Sequence, residues 1–335
     1  MSKIPLTRGQ FLLPFVQILD TLGAPVESLL EKYKLPPSIE KCTTDYLPIR
    51  NCLQFAEKTS YSQGISDFGY LVSREANFNY LSERNRKMVR NSSSLFSALK
   101  NLCANAHLED TNLRVFLVPY GNSLRLCSQL NGIKGFPHLE HSQWLQNVLL
   151  IHVVREFFGP DWIPENIAFE SQYHPTFEAQ EHWNRSRFHS GQSYSWIDIP
   201  EKYLHLPPIN RWNDTDQKAS EEISISSDLV SSLKIMLPSY LGGKVPTVAD
   251  IAEMANTSIR SLQRTLSESG WSYRQILNTV KFEQATKLLV IPETKISDIA
   301  LSLGYTDAAH FTRAFREMAG VSPSQFRKFH LESDR

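Results

Sequence analysis

The sequence predicts a mixed α+β domain over residues 1–206, joined through a linker at 207–227 to an all-helical domain at 228–331 that contains two helix-turn-helix units. Three observations lead to this fold class. Helical and strand-like patterns are mixed in the first part, helical patterns alone follow the linker, and one short helical pattern occurs twice in the last hundred residues.

Length and composition bound the possible classes of protein. A chain of 335 residues with ordinary globular composition predicts two domains with sizeable cores and excludes a disordered or fibrous protein. The four cysteines, Cys42, Cys52, Cys103 and Cys127, are scattered and form no CxxC pair. This usage argues against a disulfide framework or a zinc site and indicates the reducing cytoplasm.

The neutral net charge conceals an asymmetry between the two parts of the chain. Residues 240–330 contain eleven Lys and Arg against eight Asp and Glu, so the remainder carries a matching acidic excess. A basic C-terminal part is compatible with a nucleic-acid partner.

We expect neither a signal peptide nor a membrane span. Gln17 interrupts the apolar run at 11–19, Asp20 follows it, and no small-residue cleavage site comes next. The apolar stretch at 144–154 is far shorter than the ~20 residues that a transmembrane helix needs.

Periodicity and turn residues predict the elements of the first domain. We expect helices at 10–22, 25–33 and 138–158, a β-hairpin at 113–130 that turns at 119–122, and short strands at 167–169 and 194–199. The polar and proline-containing stretch at 207–227 buries little and predicts the linker.

The C-terminal domain contains an internal repeat. Ala252 aligns with Ala300, and Asn256 aligns with Gly304. In each copy alanine lets a partner helix approach closely, and the residue four positions later accepts the left-handed conformation that a sharp turn between two helices requires. The sequence therefore predicts two helix-turn-helix units, at about 247–268 and 295–318.

The second helix of each unit begins at a residue suited to an N-cap, Ser258 in the first and Asp307 in the second. Apolar spacing predicts inward stripes that consist of Ile259, Leu262 and Leu266 in the first helix and of Ala308, Phe311, Phe315 and Met318 in the second. A connecting helix at about 273–290 would hold the two units at a fixed separation. At about 34 Å, both could enter successive major grooves of DNA.

These motifs resemble the C-terminal domain of AraC-type (AraC/XylS) transcription regulators over about the last hundred residues. The second unit carries the more specific motif, in the runs 304–305, 310–316 and 320–327, whereas the first departs from the family pattern at Asn256 and Lys281. Family members often have glycine and arginine there.

The resemblance implies a sequence-specific regulator of transcription that binds double-stranded DNA. It places the base-contacting side chains on the second helix of each unit, namely Arg260, Ser261, Gln263 and Arg264 in the first and Ala309, His310, Thr312 and Arg313 in the second. By this resemblance the first unit is the more discriminating, chiefly through Arg260 and Arg264.

The first domain is similar to the effector domain of a subset of the family that includes regulators of ornithine use and of virulence. The similarity rests on short runs at 162–164, 187–188, 197–200 and 204–208. It implies a small-molecule effector, a homodimer and contact with RNA polymerase in an activator, but it assigns no effector-binding residue and does not carry over sugar binding.

We expect no catalytic residue, no cofactor and no metal. His138 and His141 share a helical face but show no third ligand at a sensible spacing. The alternative among regulators is a protein whose first domain only dimerises, without a ligand. A more distant one is an enzyme or a DNA alkyl-repair protein, which shares this DNA-binding module but needs a reactive cysteine after proline; Cys103 lacks that context.

Overall fold

The computed structural model describes residues 3–133, 135–211 and 228–333. Most of the predicted linker, at 212–227, lies outside these residues. Within them, the part before residue 211 mixes helices with strands, and the part after residue 228 is helical. The predicted fold class is confirmed.

Eight α-helices belong to the N-terminal part. They are α1 (Leu13–Thr21), α2 (Val26–Lys32), α3 (Ile49–Ser62), α4 (Phe68–Glu75), α5 (Glu83–Arg90), α6 (Leu95–Asn105), α7 (Glu140–Phe158) and α8 (Phe177–His182). Helix α7 is buried along most of its length and packs against α4 and the main sheet. Trp144 of α7 is fully buried among aromatic rings that include Phe169, Tyr173 and Phe188.

Seven strands form two sheets. They are β1 (Leu6–Arg8), β2 (Tyr46–Pro48), β3 (Leu113–Tyr120), β4 (Ser123–Leu130), β5 (Asn166–Ala168), β6 (Arg187–His189) and β7 (Ser195–Pro200). The main sheet has the order β3-β4-β7-β5-β6, antiparallel except for the parallel pair of β5 and β6. The predicted hairpin is the β3–β4 pair, with Tyr120 opposite Ser123 and Gly121 at positive φ in the turn.

The other sheet is the antiparallel pair of β1 and β2. Alternate side chains of a strand point to opposite faces, and this small sheet therefore contacts both parts of the chain. Ile4, Leu6 and Tyr46 lie in one apolar cluster with Leu229 and Leu233 of the C-terminal part. Thr7, next along β1, pairs instead with Asp110 of the N-terminal part.

Seven helices form the C-terminal part. They are α9 (Leu229–Met236), α10 (Val248–Met254), α11 (Ile259–Glu268), α12 (Tyr273–Leu289), α13 (Ile296–Ser302), α14 (Ala308–Ala319) and α15 (Pro323–Ser333). Helices α10 and α11 form the first predicted unit, and helices α13 and α14 form the second. None of the helices in the described parts of the chain is long and apolar enough to cross a membrane.

Candidate DNA-binding surface

The first helix-turn-helix unit is built by two caps and one left-handed residue. Thr247 and Asp250 cap the start of α10 reciprocally, and the Ser258 hydroxyl accepts the Ser261 N–H at the start of α11. Between the helices Asn256 has a φ of 50°. The chain thus turns through a left-handed residue, as predicted, and Ala252 is buried on the preceding helix.

The second unit repeats the left-handed turn and the cap of the second helix, but its first helix, α13, begins after Lys295 without a side-chain cap. Asp307 accepts the His310 N–H at 2.7 Å and caps α14, and Gly304 has a φ of 72° in the turn. Ala300 is fully buried, like its counterpart in the first unit.

The turn at Gly304 provides a test of local geometry. A Cβ added there would meet no atom closer than 3.8 Å, so only the backbone conformation restricts the residue. We expect Gly304→Asn to lower the free energy of unfolding by less than about 1 kcal/mol, because asparagine tolerates left-handed geometry, and Gly304→Val to lower it by about 2 kcal/mol. Denaturant unfolding of both variants measures the difference. Equal losses would show that the left-handed conformation does not determine the tolerance of this turn.

The structure places the predicted DNA-contacting residues on one exposed side of each second helix. Six are exposed and two, Ser261 and Thr312, are half-buried. The exposed residues are Arg260, Gln263, Arg264, Ala309, His310 and Arg313. The Thr312 hydroxyl donates to the Ala308 carbonyl at 2.7 Å, and the Ser261 hydroxyl accepts one from Ser258 at 3.0 Å.

The predicted inward stripes are correct except at one residue of each helix, and Leu266 at the end of the first stripe is buried as predicted. Leu262, Phe311 and Phe315 are buried, whereas Ile259 is 46% exposed and Met318 is 45% exposed. Ile259 is the first residue of α11, and Met318 lies in the last turn of α14. Neither side chain belongs to the apolar cluster of its unit.

Helix α12 connects the two units through their cores. Ile276 and Val280 belong to the apolar cluster of the first unit, and Ala285 and Leu289 belong to that of the second. At 1.5 Å per residue the 17 residues of α12 span about 26 Å. A single helix therefore fixes the two units relative to each other.

Two residues of the family-like motifs act within the domain. Arg327 donates from Nε to the Leu289 carbonyl at 3.0 Å and from its terminal nitrogen to the Thr294 carbonyl at 2.6 Å, which holds α15 against the end of α12. Lys281 lies with Nζ 4.4 Å from the centre of the Tyr305 ring, and burial lowers its pKa.

The N-terminal part contacts the first helix-turn-helix unit directly. Lys34 forms ion pairs with Asp250 at 2.9 Å and with Glu253, both on α10, and its carbonyl accepts the Tyr240 hydroxyl at 2.9 Å. Partial burial would raise the pKa of Asp250, but hydrogen bonds from Thr247 and Lys34 outweigh it and lower the pKa to about 2. Asp250 thus serves both the cap of α10 and the contact with Lys34.

The N-terminal domain contains a partly open apolar cavity of about 80 Å³. Helices α1, α3, α6 and α7 supply most of its wall, with side chains such as Phe15, Leu53, Leu102 and Leu149. The polar residues that line it are Thr7, Glu109, Asp110, Ser128, Ser142 and Gln146. The sequence analysis assigned no effector-binding residue, and these polar positions lie far apart along the chain.

The two adjacent carboxyl groups at this cavity, those of Glu109 and Asp110, differ in their hydrogen bonding. Glu109 accepts hydrogen bonds from Arg8, Ser82 and Asn85, whereas Oδ1 of Asp110 is buried without a hydrogen-bond partner in the described chain. Burial raises the pKa of Asp110 to about 7, against the lowering effects of a hydrogen bond with Thr7 and of the Arg8 charge.

The raised pKa of Asp110 predicts a pH dependence of stability. The folded state holds this proton more tightly than the unfolded state, so stability is lost as the pH rises from about 4 through about 7. Asp110→Asn removes the ionisation; its gain in unfolding free energy over the unsubstituted protein should be small at about pH 4 and grow by an amount on the order of a few kcal/mol by about pH 8. The neighbouring charged residues Glu109 and Arg8 are present in both proteins, so the difference between the two proteins reports on Asp110.

The matched control is Asp20→Asn, a substitution at an exposed residue of α1. It should leave the difference constant across the pH series. A constant difference for Asp110→Asn as well would show that its carboxyl group titrates normally. Thermal unfolding at several pH values measures both variants.

His138 precedes α7, so the two histidines do not share the predicted helical face, and Glu140 lies beside them. Their possible ligand atoms lie within 4.8 Å of one another, and Glu140 supplies the third group that the spacing of the two histidines did not reveal. His138 Nδ1 lies 2.8 Å from a Glu140 oxygen, and His141 Nδ1 accepts the Gly69 N–H at 3.2 Å. Hydrogen bonds at the start of α7 therefore account for this arrangement.

The cysteines do not offer an activated thiol. Burial raises the pKa of Cys103 to about 11 and that of Cys127 to about 12. A thiol held in this state is a poor nucleophile at neutral pH, which argues against alkyl transfer to Cys103.

The chain is similar to known regulators of transcription. Residues 251–328 match the family described as a helix-turn-helix domain. The ornithine utilization regulator of Pseudomonas aeruginosa is 30% identical over 144 residues, which cover 41% of this chain and 42% of that protein. The regulator VirS of Mycobacterium tuberculosis is 21% identical over 341 residues, which cover 98% of each.

Among solved structures, the transcriptional regulator CdpR of Pseudomonas aeruginosa covers 90% of this chain and 96% of its own, with 16% identity and a TM-score of 0.40. The sequence matches agree with the two helix-turn-helix units that the C-terminal part forms on either side of α12. The C-terminal part of the chain therefore contains a helix-turn-helix domain of the AraC type, similar to that of known regulators of transcription.

Proposed function

We propose that this regulator binds double-stranded DNA with α11 and α14 in two successive major grooves. The proposal rests on one observation. Helices α11 and α14 each follow a left-handed turn and are each capped by a side chain at the N-terminus. Both helices expose long polar side chains near their N-terminal ends. The N-terminal part of a recognition helix is the part that reaches base edges.

Side-chain chemistry assigns a different role to each helix. Arg260, Gln263 and Arg264 on α11 can form bidentate hydrogen bonds with guanine or adenine. On α14, Ala309 offers no hydrogen bond, and Thr312 already donates its hydroxyl proton within the helix. We infer that α11 selects the site and that α14, through His310 and Arg313, contributes anchoring and register.

We further propose that the N-terminal domain binds a small-molecule effector, and its apolar cavity supports this over a domain that only dimerises. The ion pairs of Lys34 with α10 supply a contact through which the effector domain can influence the first unit. An effector can act only if it binds two arrangements of the protein with different affinity.

The remaining parts of the proposal are a homodimer and activation of transcription through contact with RNA polymerase. A reporter gene placed behind a selected DNA site tests the sign of regulation. Expression should rise when the protein is produced. A fall in expression would show a repressor and leave the DNA-binding proposal intact.

Selection from a randomised duplex library with the full-length protein, followed by footprinting of an enriched duplex, tests DNA binding. The expected result is enrichment of a sequence with two recognised segments about one helical turn apart, protected on one face. A library recovered without any sequence preference would contradict sequence-specific binding. Protection of a single groove would contradict the use of both units.

A further inference from the structure

We propose that the cavity of the N-terminal domain binds an apolar molecule of about five to eight non-hydrogen atoms that carries a hydroxyl or amino group, with Asp110 as the acceptor of its hydrogen bond. The inference rests on the proposed function, because it names the chemical class of the effector. The size follows from the volume of about 80 Å³, since one water-sized site takes roughly 10–15 Å³.

The wall of the cavity determines the apolar body of this molecule. Phe11, Phe15, Leu53, Leu145 and Leu149 line it from three different helices and the segment before α1, and all five are buried. Such a surface gains free energy when it contacts an apolar group and offers nothing to a sugar or another polyhydroxylated molecule.

Most polar groups at the cavity are already paired within the protein. The Ser142 hydroxyl donates to the Leu139 carbonyl at 3.0 Å, and the Ser128 hydroxyl donates to Gln146 at 3.5 Å. Glu109 accepts from four donor groups, one of them the guanidinium of Arg8 at 3.0 Å. These side chains have little capacity left to determine the polar group of a ligand.

Asp110 differs from these residues. It is 4% exposed, it lines the cavity, and its Oδ1 has no hydrogen-bond partner in the described chain. A buried acceptor of this kind is costly unless a donor reaches it. A hydroxyl or amino group on the ligand supplies that donor, and an ammonium group also pairs with the carboxylate charge.

The same geometry excludes two other classes of ligand. A carboxylate would lie beside Asp110 and Glu109 in an environment of low dielectric, where like charges repel strongly. An ether or hydrocarbon of equal size would fill the cavity but leave Oδ1 unpaired. The cavity therefore restricts the head group of the ligand as well as its size.

Four probes of nearly equal size separate these classes: hexylamine, 1-hexanol, pentyl methyl ether and hexanoate. Calorimetry and thermal unfolding of the full-length protein at pH 8 measure their binding. We expect hexylamine or 1-hexanol to bind about tenfold or more tightly than the ether and hexanoate. Whichever of hexylamine and 1-hexanol binds more tightly shows whether the natural head group is an amine or an alcohol.

The Asp110→Asn variant tests the acceptor, and its own unfolding transition shows whether it folds. It should bind hexylamine about tenfold more weakly, because the charge is lost. Asp20→Asn, at the exposed residue of α1 outside the cavity, should bind like the unsubstituted protein. Ala56→Leu, which fills the cavity without changing a polar group, should abolish binding and tests the site independently of Asp110.

Tightest binding of the ether or of hexanoate would overturn the proposal, as would unchanged hexylamine binding by Asp110→Asn or Ala56→Leu, or the failure of every probe to bind. DNA selection without any probe keeps this result separate from the proposed function. If the protein selects DNA but binds no probe, only the ligand class is wrong. If it binds the probes and shows no preference for a DNA sequence, the DNA-binding proposal fails instead.

Discussion

Substituting Arg264 by alanine is expected to reduce the preference of the protein for one base of its site by about 1–3 kcal/mol, or roughly 5- to 150-fold in relative affinity. Arg264 lies on the exposed side of α11, and its Nε is 3.8 Å from Glu268 one turn later. Both side chains are largely exposed, so this ion pair adds little stability and leaves the guanidinium available for DNA.

Competition binding against a set of duplexes that differ at single positions measures this loss. The matched control is Arg274→Ala, which removes the same charge from an exposed position on α12 outside both second helices. It should weaken no base preference. If Arg264→Ala weakens all duplexes equally and lowers the salt dependence of binding, Arg264 contacts a phosphate.

Substituting Phe311 by alanine is expected to reduce the free energy of unfolding of the second unit by about 3–5 kcal/mol, as is typical for a large aromatic residue in a core. Phe311 is 1% exposed, and its ring centre lies 5.4 Å from that of Tyr305 and 5.7 Å from that of Phe315. The cluster around it is small and separate from that of the first unit.

The loss should therefore be local. Amide hydrogen exchange is expected to accelerate in α13 and α14 while α10 and α11 keep their protection, because the two clusters have different buried residues and are joined through α12 and Leu241. Met318→Ala, on the same helix at a residue that is 45% exposed, should change stability by less than about 0.5 kcal/mol. Equal acceleration in both units would show that the domain unfolds as one cooperative unit.

The sequence was sufficient to predict the helix-turn-helix units because their determinants are local. Ser258 and Asp307 cap the helices that follow them, and Asn256 and Gly304 adopt the left-handed geometry that the turns need. Periodicity alone predicted that Ile259 and Met318 are buried, which is wrong. Periodicity indicates which face of a helix points inward, but not which residues near the ends of that face are covered by a neighbour.

The cavity could not be predicted in this way. Thr7 and Asp110 meet across the β1 edge although about a hundred residues separate them in sequence, and neither belongs to a recognisable motif. Whether an acceptor such as Oδ1 of Asp110 has a partner depends on which donors the fold places near it.

The short strands β1, β2 and β6 have three residues each, too few for an alternating pattern to stand out.

The β1–β2 pair also determines where this protein can be divided. Ile4, Leu6 and Tyr46 complete the apolar cluster around Leu229 and Leu233. A fragment cut at the linker would lose that cover, and each piece would expose an apolar patch that was interior before the cut. Production of either domain alone therefore requires polar replacements at these positions, and even a short deletion at the N-terminus would affect the DNA-binding domain at the other end of the chain.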